Sequence, residues 1–224
     1  MRYASCRGFF SDLLDPASRA IPPEARQALD DLAEGRIILL IDDAGGDCGA
    51  MVALAARMSA ANVTTMAVHA RGLVSIVLGE GAALRRGFTL QQGSRFDATT
   101  ASLQLVSIEA ADCDGTGISA QDRAQTIRAA GRPNAAPTDF RSPGHVFPVV
   151  VRTDRHFPAN LPQWAEALVR QAGGTMVAAY CDVLDEEGEL ASAADCATLA
   201  AALGLACLRV RDCAWLELAA ERGR

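Results

Sequence analysis

The 224-residue chain contains no lysine; all 21 of its basic residues are arginine. That removes two chemistries at once. No Schiff base can form on a lysine amine, and no Walker-type lysine can reach a nucleotide's phosphates. Any fixed positive charge offered to a phosphate must come from a guanidinium. Histidine is scarce as well, with His69, His145 and His156 the whole supply. The seven cysteines (Cys6, Cys48, Cys113, Cys181, Cys196, Cys207 and Cys213) are odd in number and contain no Cys-x-x-Cys pair. Neither a disulfide framework nor a zinc site is expected from them, and reduced thiols in a cytoplasmic protein are. There is no basic excess: 27 acidic residues give a formal net charge of −6, which excludes the general electrostatic footprint of a nucleic-acid binder. No apolar run reaches membrane-spanning length and the first residues lack a signal-like apolar core, so no membrane partner is expected.

What is present is an ordinary globular balance, half hydrophobic and 21% charged, enough for one core without metals or disulfides. Residues 1–20 carry no periodic pattern and read as an N-terminal extension to a single domain over 21–222. Pro22-Pro23 suits a helix start, with the helix ending at Gly35. Ile37 to Ile41 is a continuous apolar run, the mark of a strand buried on both faces. A helix is expected over Ala50 to about Ala60, strands over Leu73–Leu78 and Ser102–Glu109, and a helix from Ser119 towards Ala130. The last third alternates a strand at Val146–Val151, a helix at Trp164–Ala172, a strand at Met176–Val183, a helix capped by Ser192, a strand at Ala206–Val210 and a helix over Cys213–Ala220. Strands alternating with helices predict an α/β layered domain.

Three segments carry chemistry. The first is Gly115-Thr116-Gly117-Ile118-Ser119-Ala120-Gln121-Asp122-Arg123. Ser119 with Asp122 three residues later is a helix N-terminus signature. The glycines before it let backbone N–H groups face outward, and with the helix dipole they make an anion site to which Thr116, Ser119 and Arg123 add donors. The same pattern also describes any capped helix. The second is Ser142-Pro143-Gly144-His145-Val146-Phe147-Pro148, which holds a histidine between a Pro-Gly turn and a strand. Such a residue suits a metal ligand or proton carrier, or a purely structural bond to loop backbone. The third is Asp42-Asp43 at the end of the first strand, followed by Ala44-Gly45-Gly46-Asp47-Cys48-Gly49. Acids act at strand C-termini in α/β sheets, though a solvated turn has the same composition. Cys48 lacks a nearby base in the sequence, which argues against a nucleophile.

Together these pieces resemble the 3,4-dihydroxy-2-butanone 4-phosphate synthase family, enzymes that make riboflavin's four-carbon unit from ribulose 5-phosphate. The resemblance runs from about residue 24 to 212 and takes in Glu34-Gly35-Arg36, Asp42-Asp43, Arg71-Gly72-Leu73, the Thr116–Arg123 segment, Pro143–Pro148, Cys181-Asp182 and Asp185-Glu186-Glu187-Gly188. It implies an α/β sandwich, a homodimer with sites near the subunit interface, and a divalent cation, magnesium or manganese. It places Gly115, Thr116, Gly117, Ser119, Arg123 and Arg141 around a substrate phosphate. Asp42, Asp43, Asp47 and His145 become the catalytic candidates, with His145 and Asp47 as metal ligands.

The departures from the family are concentrated at the acid–base end. The acidic loop after the paired aspartates is one residue shorter and has lost its arginine and every glutamate, the metal-binding one included. The family's proton-transferring glutamate falls on Gln163, which cannot accept a proton as a carboxylate does. Ser142 stands where the family has an arginine, with Arg141 beside it, and Gly115 stands for a threonine. Since general acid–base groups each contribute ~10²–10⁴-fold, such losses weaken the formate-releasing rearrangement. Three functions follow: the family reaction on a rebuilt metal site, a related reaction on ribulose 5-phosphate or a similar phosphosugar, or a non-catalytic paralogue that modulates riboflavin-pathway flux.

Overall fold

The computed structural model describes residues 21–92, 102–152, 159–174, 176–213 and 215–216. The N-terminal extension, His156 and the end of the expected final helix lie outside the described residues. In chain order the elements are α1 (Pro23–Ala33), β1 (Ile38–Asp42), β2 (Cys48–Leu54), α2 (Ala60–Thr65), β3 (Ser75–Gly79), α3 (Glu80–Arg85), β4 (Ser102–Gln104), β5 (Ile108–Ala110), α4 (Ala120–Ala130), β6 (Phe140–Val151), α5 (Leu161–Gln171), β7 (Val177–Asp182), α6 (Ala193–Leu203) and β8 (Ala206–Arg209). The strands form a mixed sheet in the order β4-β6-β3-β7-β2-β1-β8, with β5 paired to β6.

Strand alternation divides the core into two layers. Leu39, Ile41, Met51, Ala53, Ile76, Leu78, Ala179 and Cys181 face α2, α4 and α6. Ile38, Leu40, Ala50, Val52, Val77, Ala178 and Tyr180 face α1 and α5. The result is the expected α/β sandwich, helices on both faces of one sheet. Caps fix where the helices begin. Ser119 accepts from Asp122 N and Ser192 from Asp195 N, both as expected, while Asn160 and Gln163 reciprocate across the start of α5.

The helix expected over Ala50–Ala60 is not there. Residues 48–54 are β2, paired antiparallel to β1 on one side and to β7 on the other. Alanine favours helix, but a run of buried apolar residues with strands on both sides gains a full ladder on each edge, and that outweighs propensity. The helix begins only at Ala60, after its Ser59 cap. Where a final helix was expected from Cys213, the chain forms a 3₁₀ turn over Val210–Cys213, and the rest of that expected helix past Leu216 lies outside the described residues.

This topology brings the ends of β1 and β7 and the starts of β2, β3 and β6 to one edge of the sheet. The loop before α4 reaches the same edge beside β5 and the start of β6.

Candidate active site

The local geometry begins with β5. Glu109 sits on this short strand, paired with the first half of β6, where the register jumps from Ile108–Val146 to Glu109–Arg141; the Pro-Gly-His segment expected as a turn is instead a bulge within β6. Gly144 packs against the backbone of Ile108 and Glu109, and its N–H donates to the Ser107 hydroxyl at 3.2 Å. The bulge therefore holds His145 with its Nδ1 3.3 Å from Glu109 Oε2. The Glu109 side chain is 15% exposed, and Arg141 stands 3.8 Å from its other carboxylate oxygen. Arg141 also donates to the carbonyls of Cys113 (3.0 Å) and Ala110 (3.5 Å), tying the loop before α4 to β6.

Gly117 lies directly on this pair. Its φ is +83°, and a Cβ built there overlaps Glu109 Oε2 and stands 2.9 Å from His145 Nδ1. Only glycine combines that backbone with that approach. Two residues on, Ser119 Oγ accepts from Asp122 N at 3.0 Å and starts α4. Thr116 is exposed beside them, and the Asp122 carboxylate packs on Gly115. On the next turn Arg123 has a buried Nε with no acceptor among the described residues. Its charge acts on Cys181, whose thiol burial pushes up to about 12. The structure thus gathers Gly115, Thr116, Gly117, Ser119, Arg141 and His145 around the start of α4, with Arg123 one turn further along it.

The three aspartates are placed elsewhere on the edge. Asp42 Oδ1 accepts from Ala44 N (3.1 Å) and Gly45 N (3.0 Å), closing the β1–β2 turn. Asp43 Oδ2 lies 3.0 Å from Arg209 and 3.1 Å from Arg211, an ion-pair cluster that fastens β8 and the following turn to β1. Asp47, at φ 43°, accepts from Ala193 N at 3.1 Å and so joins the loop to α6. His145 on β6 and Cys48 on β2 are three strand positions apart, ~14 Å at the usual spacing. Among the described residues no group of three or more His, Cys, Asp or Glu side chains is disposed to hold a metal. A hard divalent cation needs several convergent oxygens. His145 offers one imidazole, its adjacent carboxylate is turned to Nδ1, and one oxygen of each aspartate is committed elsewhere, leaving Asp43 Oδ1 as a lone buried oxygen without a partner among the described residues rather than part of a convergent set. The donor set does not fit a resident magnesium.

Gln163, at the position of the family's catalytic glutamate by resemblance, is buried and bonded at both ends of its amide. Its Oε1 accepts from Asn160 N at 2.9 Å and its Nε2 donates to the Arg152 carbonyl at 2.5 Å. Burial, followed by Asp42, Asp182 and Asp47, holds the Cys48 thiol above the ordinary range, which disfavours the thiolate a nucleophile needs.

Sequence reasoning missed Glu109, the only acid in the stretch read as the third strand, whose partnership with His145 depends on the β5–β6 register. It also missed the Tyr180–Asp182 pair at the end of β7, where the phenol donates to Asp182 Oδ1 at 2.5 Å. Burial raises the Asp182 carboxyl above the usual carboxylate range, while the Tyr180 hydrogen bond opposes that rise. As pH climbs through about 4, the unfolded chain releases this proton before the native one does, so Asp182 costs stability across that window. Wild type is therefore expected to lose stability relative to Asp182→Asn as pH rises above about 4 in urea titrations. Tyr180→Phe is expected to raise the Asp182 midpoint further in a carboxyl ¹³C titration.

Residues 26–214 match the 3,4-dihydroxy-2-butanone 4-phosphate synthase family. The chain is 31% identical over 201 residues to the 3,4-dihydroxy-2-butanone 4-phosphate synthase of Pseudomonas aeruginosa, covering 88% of this chain and 54% of that protein. It spans about half the length of the curated relatives it matches. Among solved structures it is similar to RibBX, a two-domain 3,4-dihydroxy-2-butanone 4-phosphate synthase from A. baumannii, at 30% identity and a TM-score of 0.75, over 84% of this chain and 56% of that one. The fold is also that of a 3,4-dihydroxy-2-butanone 4-phosphate synthase in complex with two magnesium ions (TM-score 0.72, 24% identity, 84% of this chain and 93% of that one). With the match running from α1 to the turn after β8, the chain belongs to the 3,4-dihydroxy-2-butanone 4-phosphate synthase family.

Proposed function

We propose that this chain is a divergent enzyme of the family. It binds ribulose 5-phosphate or a similar small phosphosugar at the start of α4 and moves a proton at the adjacent His145. One observation carries the reading: Gly117, at the centre of the phosphate turn, lies in contact with the Glu109–His145 pair. A phosphate held by the Thr116–Ser119 backbone and by Arg123 puts the sugar carbons within reach of the imidazole. The dipole of α4 and its first-turn N–H groups favour the anion. As a homodimer in the cytoplasm, the chain would present exposed Ile118 and Leu73 beside this edge, apolar surface suited to a partner subunit.

The formate-releasing rearrangement is expected to be weak. It needs proton transfers at several carbons, and the position that supplies one in the family carries a buried, bonded Gln163. That same observation favours a second reading, a paralogue that binds the phosphosugar and modulates riboflavin synthesis without turning it over. Purified protein is to be incubated with ribulose 5-phosphate and magnesium while formate and the sugar carbons are followed by ¹³C NMR. The expected outcome is phosphosugar binding with little formate. Rapid formate release that disappears in His145→Ala would show that the full family reaction survives. Binding with no change at any carbon would leave the regulatory reading.

A further inference from the structure

We propose that the carboxyl ends of β1 and β8 carry a second ligand site, built from Asp43, Arg209 and Arg211, that takes a small α-amino carboxylate. The two guanidinium groups hold its carboxylate and Asp43 holds its ammonium. This site is separate from the one at the start of α4. Asp43 follows β1 and His145 lies on β6, four strand positions apart in the sheet, ~19 Å at the usual spacing.

Three observations bear on it. The first is the place. β1 and β8 run parallel and end side by side, and ligands of α/β sheets gather outside the carboxyl ends of such strands. The second is donors to spare. Arg209 Nη1 and Arg211 Nε both approach Asp43 Oδ2, at 3.0 and 3.1 Å, so two guanidinium groups share one carboxylate oxygen. Their side chains are 33% and 60% exposed, and neither has another carboxylate partner among the described residues. Each keeps N–H groups in the planar fork that matches a carboxylate. The third is an acceptor without a donor. The Asp43 side chain is 9% exposed, and its Oδ1 is buried with no hydrogen-bond partner among the described residues. Fastening β8 to β1 uses only Oδ2, whereas buried polar atoms are as a rule bonded.

Charge selects the ligand. Two guanidinium groups and one carboxylate leave a single net positive charge, which one further carboxylate balances. A phosphate dianion exceeds that charge and is repelled by Asp43. An ammonium next to the ligand's carboxylate gives Asp43 Oδ1 the donor it lacks, so that opposite charges meet at both ends. A plain carboxylate meets the guanidinium groups but leaves Oδ1 unfilled. Arg211, the more exposed of the two, is the side chain with room to shift from Oδ2 onto the ligand and open Oδ1.

The test is a titration of the intact protein with glycine, the smallest α-amino carboxylate, followed in ¹H–¹⁵N spectra of backbone amides and arginine Nε–H groups. As a zwitterion, glycine adds no ionic strength. Saturable shifts are expected at the Asp43 amide and at the Arg209 and Arg211 Nε–H signals, with the Thr116–Arg123 amides unmoved. Acetate at constant ionic strength is expected to bind at least ~10-fold more weakly, because it brings no donor for Oδ1. Inorganic phosphate is expected to cause no saturable shift at these signals. Arg211→Gln is expected to weaken glycine at least ~10-fold, and Arg211→Lys, which keeps the charge without the fork, to recover part of the loss. Circular dichroism checks that the variants fold; if they do not, the glycine–acetate comparison on wild type decides. Shifts that only rise linearly with glycine, equal affinities for glycine and acetate, or an Arg211→Gln titration like that of wild type would overturn the proposal. Phosphate saturating these signals more tightly than glycine would overturn it as well. The phosphosugar reading stands or falls separately, on the Thr116–Arg123 signals with ribulose 5-phosphate.

Discussion

Replacing Gly117 with alanine is expected to reduce phosphosugar affinity at least ~100-fold while the sheet remains intact. Two separate costs combine at this residue. The backbone has φ +83°, where an L side chain costs ~1–2 kcal/mol. The added methyl also overlaps Glu109 Oε2 and crowds His145 Nδ1 at 2.9 Å. The pair cannot retreat easily, because Glu109 is fixed on β5 and His145 by the packing of Gly144 on Ile108. The loop must move instead, and with it the N–H groups that would face the phosphate. Gly173 supplies the control. It has φ +80° with nothing within 4 Å of a built Cβ, so Gly173→Ala carries the backbone strain alone. Calorimetric titration with ribulose 5-phosphate is expected to show near-normal affinity for Gly173→Ala and none measurable for Gly117→Ala. Equal affinities would remove Gly117 from the binding turn.

Arg86→Leu is expected to be the most destabilising single change outside the site. This arginine is 4% exposed and has no carboxylate partner among its hydrogen bonds. Its guanidinium donates to the carbonyls of Ala130 (2.8 Å), Ala82 (2.9 Å) and Arg132 (2.9 Å). It therefore closes the C-terminal end of α4, where unpaired carbonyls and the negative end of the dipole collect, and binds that end to α3. Burial pushes its pKa down, with the neighbouring Arg85 adding to the effect, but three carbonyls in a fixed fork favour the charged form. Leucine fills the volume and leaves all three acceptors without a donor, at ~1 kcal/mol or more each. A loss of about 3 kcal/mol corresponds to a fall in Tm of roughly 6–12 °C for a chain of this size. Amide exchange is expected to accelerate first at the last turn of α4. An unchanged Tm would mean that water satisfies the three carbonyls as well as the guanidinium does.

Much of this arrangement was legible before any coordinates. The apolar run at Ile37–Ile41, the Ser119 and Ser192 caps and the α5 and β7 segments are local signals, and each element formed within a few residues of its expected place. What failed was non-local. Ala50–Leu54 carries a helix-favouring composition, and only the strands on either side make it β2. β6 was expected from Val146 but begins at Phe140, because its first half pairs with β5 rather than following its own apolar pattern. The phosphate turn could be read from spacing, since Gly117 and Ser119 act through their own backbone. Glu109 could not, because nothing at that position announces that β5 will bring it beside a histidine 36 residues later. Nor could the roles of Asp42, Asp43 and Asp47, whose partners are a turn of their own backbone, two arginines 166 and more residues away, and the first amide of α6. Acidic residues in a glycine-rich loop look alike in sequence whether they hold a metal or a strand edge.

Amide shifts during titration with ribulose 5-phosphate test the phosphosugar site most directly. In ¹H–¹⁵N spectra of the intact protein, saturable shifts are expected at Thr116, Gly117, Ala120, Gln121 and Arg123, with the His145 ring responding and the Asp42–Asp47 loop unchanged. Saturable shifts confined to that loop, or no shifts at millimolar sugar phosphate, would contradict a phosphosugar site at the start of α4.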